Sequence, residues 1–267
     1  MKLSVVTISF NQAQFLEACL DSVAGQAPPW EHIIVDPGST DGSREIIKRR
    51  STQFASIVLA PDNGPADGLN KGFACANGDI FYYLNSDDIV APGTFAEARE
   101  AFALHPHLDV ISGNADVIDE TGQRLRRVYS DPVSRHRLAH AGGLLIQPAT
   151  FIRRVAFERA GGFNTENRSN WDGELITDLF ISGARFGRVN KVWAGYRLHA
   201  DSITASARMT ERIASWADRR YEKLMGRPGS SISGFVRRMY QLDRILRHPD
   251  TIVARLRGLS VYGSKKD

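Results

Sequence analysis

Apolar and polar positions along the chain fall into short strand-like runs separated by stretches of helical period. Residues 3–9, 31–35, 57–60 and 80–84 are compact apolar runs, the pattern of strands buried on both faces of a parallel sheet. Between them, Phe15, Leu16, Cys19, Leu20 and Val23, then Ile46 and Ile47, then Leu69, Phe73 and Ala76 recur at helical spacing. Each set predicts a helix with one apolar face. Asn11 is the expected cap of the first helix and Gly25 its end. Three strand–helix units before residue 80 make an α/β doubly wound sheet, mostly parallel with helices on both faces, the economical architecture.

The second half is less regular. Pro92 opens a helix through Phe95, Ala98 and Phe102. Residues 109–112 and 115–118 read as two strands around Gly113-Asn114, and residues 187–192 and 195–198 as two more. A hairpin turn at residues 119–122 leads into residues 124–129, and a short helix from Arg153-Arg154 ends at Gly161-Gly162. From about Asn170, Leu175, Ile176, Leu179 and Phe180 form one apolar helical stripe. Asp172 falls inside that stripe, while Glu174 and Asp178 point away. An acid on the buried side of a first turn is either a cap stabilised by the helix dipole or a functional group.

The tail differs in kind. Met209, Ile213, Trp216, Ala217 and Leu224 predict one amphipathic helix, and residues 227–231 a break. In a second helix, Ile232, Phe235, Val236, Met239, Leu242 and Leu246 lie on one side, with Arg237, Arg238, Arg244 and Arg247 around it. The expected division is a domain over 1–207 and a helical extension over 208–267.

Composition, at 42% hydrophobic and 24% charged over 267 residues, fits one generous domain with an appendage. No run approaches the roughly 18 apolar residues of a membrane span. Residues 3–10 are too short and strand-like for a signal peptide. Cys19 and Cys75 fall in predicted helices as small buried hydrophobes, consistent with a cytoplasmic setting. Charge adds something new: residues 208–267 hold 14 Lys/Arg against 6 Asp/Glu, net +8 within a whole-chain +4, so the body carries −4. Basic residues thus gather away from the acidic strand ends, which speaks against nucleic acid as a partner. The basic tail has three readings: packing on the domain, a homodimer contact, or residues 231–258 lying on the anionic inner face of a membrane.

Candidate chemistry begins where the run at 80–84 ends in Asp87 and Asp88. Burying bare carboxylates is costly, so they need a partner. The carboxyl edge of an α/β sheet is where ligands bind, and acidic oxygen sites suit Mg or Mn. A solvated turn capping the next helix is the plain alternative. Asp36 ends another strand at that edge, and Asp41 reads as a helix cap. No Gly-x-Gly-x-x-Gly and no Gly-x-x-x-x-Gly-Lys-Ser/Thr is present. Arg124, Arg126 and Arg127 read as exposed strand residues, and His136 and His140 as surface residues.

Taken together, Ser4-Val5-Val6-Thr7-Ile8-Ser9-Phe10-Asn11, Val35-Asp36-Pro37-Gly38-Ser39-Thr40-Asp41-Gly42-Ser43, Asn70-Lys71-Gly72, and Gly78-Asp79 ahead of Asn85-Ser86-Asp87-Asp88 resemble the family 2 glycosyltransferases with a GT-A fold. Gln147-Pro148-Ala149-Thr150, Trp171-Asp172-Gly173-Glu174 and Arg197-Leu198-His199 extend the resemblance to about residue 204. It implies an inverting, metal-dependent transfer of sugar from a nucleotide-diphosphate donor to a glycan or lipid-linked hydroxyl in cell-surface polysaccharide biosynthesis. By the same resemblance, Thr7, Ser9, Asn11, Asp36, Asp67, Asn70 and Asp87 would hold the nucleotide. Asp88 and His199 would hold Mn or Mg, Gln147 and Arg197 would meet sugar or acceptor, and Asp172 would be the general base. The chain departs from the family pattern at Asn85, where many members have Asp, at Pro37 and at Trp171. A nucleotidyltransferase and an inactive, nucleotide-sugar-binding relative are the competing readings. The first would want a basic Gly-rich loop after strand one, which Ser9-Phe10-Asn11-Gln12-Ala13 is not.

Overall fold

A computed structural model of the chain describes residues 1–140, 143–167, 170–199, 210–228 and 234–252, without the side chains of 210–215, 234 and 237. Met209, Ile213, Ile232, Arg237 and the 207/208 boundary, all invoked above, lie outside what is described.

Strands β1 (Leu3–Ile8), β2 (Trp30–Val35), β3 (Ser56–Val58) and β4 (Ile80–Asn85) alternate with helices α1 (Ala13–Ala24), α2 (Ser43–Arg49) and α3 (Pro65–Ala74). Helical crossovers return the chain to the same edge, so these strands pair in parallel. Next come β5 (Ile89–Val90), α4 (Thr94–Leu104), β6 (Val110–Ile118), β7 (Arg124–Val128) and α5 (Arg135–Ala139). The chain continues through β8 (Thr150–Arg153), α6 (Arg154–Ala160), α7 (Trp171–Ile181), β9 (Phe186–Arg197), α8 (Thr210–Met225) and α9 (Gly234–Arg247). The sheet runs β3-β2-β1-β4-β8-β6-β9-β5, with β7 attached to β6. β8 is antiparallel to both neighbours, and β6 is parallel to β9.

Strand alternation sends side chains to two cores. Val5, Tyr82, Phe151 and Trp193 meet α1 and α4 through Cys19 and Phe95, while Val6, Phe81 and Ile152 meet α3, α6 and α7 through Leu69, Phe157 and Leu175. Each such fully buried side chain contributes about 1.5–3 kcal/mol of transfer free energy. The α/β sheet with helices on both faces is as expected.

Local readings differ in instructive places. β6 is one strand, not two, and so is β9. Gly113 does not break β6; a Cβ there would lie 2.7 Å from the Trp193 ring. It marks a close approach rather than a turn. Asn11 caps nothing: it sits at φ 51°. Instead Asp41 accepts from the backbone N–H of Ala13 (2.7 Å) and of Ser43 (3.0 Å), serving α1 and α2 at once. Cys19 is buried as expected, but Cys75, just past α3, is exposed.

Candidate active site

Parallel pairing brings the ends of β1, β2 and β4 to one edge. Ser9 donates its backbone N–H to Val35 (2.9 Å) and Ser86 to Ile8 (3.1 Å), which fixes the three strand ends side by side. Asp36, fully buried just after β2, accepts at Oδ1 from the N–H groups of Gly38 and Ser39 (3.0 and 2.8 Å). Arg44 adds its Nε at 3.1 Å and binds the Asp36 carbonyl. Nothing in the sequence pattern pointed to Arg44, which reaches back from α2.

After β4, Asp88 is 1% exposed. Its Oδ1 accepts the backbone N–H of Arg197 (2.8 Å). Burial, reinforced by the neighbouring Asp87, pushes this carboxyl well above its ordinary range, against the pull of that bond and of the Arg197 charge. Asp87 Oδ2 accepts from His199 Nε2 (3.1 Å) when the imidazole carries its proton on that nitrogen. Arg197 spends its guanidinium on the carbonyls of Asp87, Asp119 and Glu120 (2.7–2.9 Å). Phe15 lies under it, 4.8 Å from ring centre to guanidinium, and also 4.8 Å from the His199 ring. At 4% exposed, Arg197 is a brace for the acidic pair, and Phe15 holds both residues in place.

Five buried polar atoms at this edge, Ser9 Oγ, Asp36 Oδ2, Asn85 Oδ1, Asp88 Oδ2 and His199 Nδ1, have no hydrogen-bond partner among the described residues. Such atoms are costly inside a protein and call for a partner from outside the chain, a water or an ion included. Among the described residues, no three or more His, Cys, Asp or Glu side chains form a self-contained metal site.

Gln147, just before β8, ties to the end of β4, donating to the Tyr83 carbonyl (2.9 Å) and accepting from Asn85 Nδ2 (3.2 Å). Asp172, in the first turn of α7, accepts from the Gly173 N–H (2.8 Å). It is half-buried, as Ile176 and Phe180 of the apolar stripe are, and Glu174, expected to face away, is buried as well. Asn164 and Asn167 hold Glu174 at 3.2 and 2.6 Å. Burial raises the Asp172 carboxyl above its ordinary range despite the backbone bonds that oppose it. The backbone N–H groups of the helix start do pull it down, as the dipole would, but burial outweighs them.

The other candidates sit further back. Thr7 is wholly buried and paired with His32 Nε2 (2.9 Å) on the α1 side of the sheet. Asn11 ties the loops together, accepting from Thr40 N and receiving Ser39 Oγ on its own N–H, both at 2.9 Å. Asp67 holds Asn63 N and Lys71 Nζ (2.9 Å each), and Asn70 staples α3 to Phe163 through two backbone bonds (2.8 and 3.0 Å). Trp171 packs against Tyr83 and Phe163.

The model of the family described as "Glycosyl transferase family 2" matches residues 4–161, a span holding Asp36, Asp87, Asp88 and Gln147. The chain belongs to glycosyl transferase family 2. An uncharacterised glycosyltransferase of Nostoc is 32% identical over 222 residues, 78% of this chain and 68% of the relative. A putative teichuronic acid biosynthesis glycosyltransferase of Bacillus subtilis, TuaG, is 37% identical over 90 residues, 32% of this chain and 36% of its own. Solved structures agree on the family 2 fold. S. aureus TarS 1–349 in complex with UDP-GlcNAc superposes with TM-score 0.61 at 17% identity, covering 84% of this chain and 72% of that one. The Pyrobaculum calidifontis mannosyltransferase PcManGT with GDP-Man and Mn2+ gives TM-score 0.63 at 21%, covering 85% and 65%. Both neighbours are GT-A glycosyltransferases.

Proposed function

We propose that this family 2 glycosyltransferase is inverting and metal-dependent, and moves a sugar from a nucleotide-diphosphate donor to a hydroxyl of a glycan or lipid-linked acceptor in cell-surface polysaccharide assembly. The observation that carries the reading is the row of partnerless buried atoms from Ser9 to His199 along one sheet edge. Asp36 Oδ2 and Ser9 Oγ would receive the base and ribose, with Asp87 beside them. The loop ties made by Asn11, Asp67 and Asn70 would keep that pocket in shape. Asp88 Oδ2 and His199 Nδ1 would hold a divalent ion, Mn or Mg. When bound, that ion supplies positive charge against the leaving diphosphate.

Asp172 takes the proton of the acceptor hydroxyl as that oxygen attacks the anomeric carbon opposite the departing diphosphate. Burial makes its carboxylate a better base than an exposed Asp. Gln147 positions the sugar between the two. The donor-bound neighbours, TarS with UDP-GlcNAc and PcManGT with GDP-Man and Mn2+, support the donor class and the metal. The teichuronic acid relative supports the setting.

Calorimetric titration of UDP, GDP and dTDP, each with and without Mn, against the native protein and Asp88→Ala tests the proposal. Binding of one nucleotide that requires both Mn and Asp88 is expected. No metal-dependent binding of any of the three would leave an inactive relative as the better account.

A further inference from the structure

Helix α9 is docked with its polar side inward. Asp131, 1% exposed on the domain, binds Arg244 through Oδ2 and Arg247 through Oδ1. Asp243 answers Arg137 of α5 and Arg247 (2.6 and 2.7 Å), and Tyr240 hydrogen-bonds His136. A buried carboxylate with two arginines from one helix fixes which way that helix faces, because letting go would strand Asp131 as a bare buried charge.

The consequence is an outward apolar stripe. Phe235, Met239, Leu242 and Leu246 are 72%, 55%, 56% and 74% exposed. At 100° per residue they fall within about 60° of one another, with exposed Arg238 on the flank. The one acid in α9, Asp243, is turned to the domain, and Asp250 just beyond is bound by the Tyr129 hydroxyl (2.6 Å). From residue 253 the sequence adds Arg255, Arg257, Lys265 and Lys266 with no acid before Asp267.

We infer that this stripe is a docking face for an anionic lipid surface, on which α9 lies parallel with its four apolar side chains inserted and Arg238 at the headgroups. Charge decides between occupants. A second copy paired across a twofold axis would set Arg238 rims against each other with no acid on the face, whereas anionic headgroups complement them. No helix among the described residues is long and apolar enough to cross a membrane, so α9 lies on the surface. The contacts also orient the enzyme: α9 holds α5, α5 packs on α8 through Leu138, Tyr221 and Leu224, and Lys223 of α8 binds Asp178 of α7. That is the helix whose first turn carries Asp172.

Sedimentation of the full-length chain with phosphatidylglycerol vesicles and with phosphatidylcholine vesicles tests this. Pelleting with the first, little with the second and release at high salt are expected. The Leu242→Ser/Leu246→Ser variant alters only exposed positions, so circular dichroism should stay native while vesicle binding falls about tenfold or more. Its nucleotide binding, read separately, should not change, which keeps this result independent of the donor site. Equal pelleting by variant and native protein, or none by either, overturns the inference. So does a native dimer that the variant turns into monomer, which would assign the stripe to a second copy.

Discussion

Asp88 and Asp131 are equally buried, each 1% exposed, yet the protein treats them in opposite ways. Asp131 has both oxygens engaged, by Arg244 and Arg247 and by the Leu144 N–H (3.3 Å). Asp88 has a single backbone bond on Oδ1 and, among the described residues, nothing on Oδ2, and the Asp87 carboxylate bears on it more strongly than the Arg197 charge that opposes it. A buried charge with its partners in place is a structural joint. A carboxylate left half-satisfied calls for a partner from outside the chain, a water or an ion included.

Replacing each by Asn separates the two roles, and the largest effect falls on Asp88. Asp88→Asn should cut transfer activity by about 10³-fold, the scale of a lost electrostatic anchor for a leaving group. Its folded stability should not fall, because burial already disfavours the charge there. A thermal melt that drops sharply alongside activity would make Asp88 a joint like Asp131.

Asp172→Asn should cost about 10²-fold in turnover or more while nucleotide affinity stays native. Burial raises the Asp172 carboxyl, so its proton-accepting form fills only as pH climbs past the ordinary carboxylate range. The rate should therefore rise with pH on the acid side and then level. That rising arm should vanish in the variant; an arm that persists unchanged would assign the base elsewhere.

Asp131→Asn should lose about 2–4 kcal/mol in urea unfolding, scaled down from a fully buried pair because both arginines are partly exposed. Turnover per folded molecule should hold within a few fold. Gly113→Ala belongs with it: a Cβ meeting Trp193 at 2.7 Å should cost about 1–3 kcal/mol through overpacking, again without touching the donor site.

The same contrast explains what the sequence could tell. The β1–β4 half was legible because each buried strand is a continuous apolar run and each crossover helix has one apolar face; Asp36, Asp87 and Asp88 followed from where those runs end. β6 and β9 were misread because Gly113 and Gly195 look like breaks in a one-dimensional pattern, and only the packing of Trp193 and Ile89 against them shows otherwise. Helical periodicity put Asp172 on the buried stripe and Glu174 outside. The structure buries Glu174 too, because Asn164 and Asn167, before the helix, supply partners that periodicity cannot see. Arg44, Phe15 and the inward polar face of α9 depend on contacts between elements and carry no local signal.

The smallest effect sharpens the comparison at its boundary, at Thr7. Its hydroxyl is fully buried beside the strand ends, as Ser9 Oγ is nearly so, but it is already bonded to His32. By the rule that separates Asp88 from Asp131, Thr7 should act as a joint, so Thr7→Val should leave nucleotide affinity within about twofold while Ser9→Ala weakens it. His32 gives the pair a pH signature. Burial, aided by the Arg50 charge, lowers its imidazole from 6.5 to about 3. The folded protein thus excludes a proton that the unfolded chain binds, and stability falls as pH drops from 6.5 towards 3. Near pH 6 the loss is about 1 kcal/mol or less, growing further down. Urea unfolding of native protein and His32→Gln across that interval reads it out. A slope unchanged in the variant would show that His32 takes up its proton in the fold as readily as in the unfolded chain.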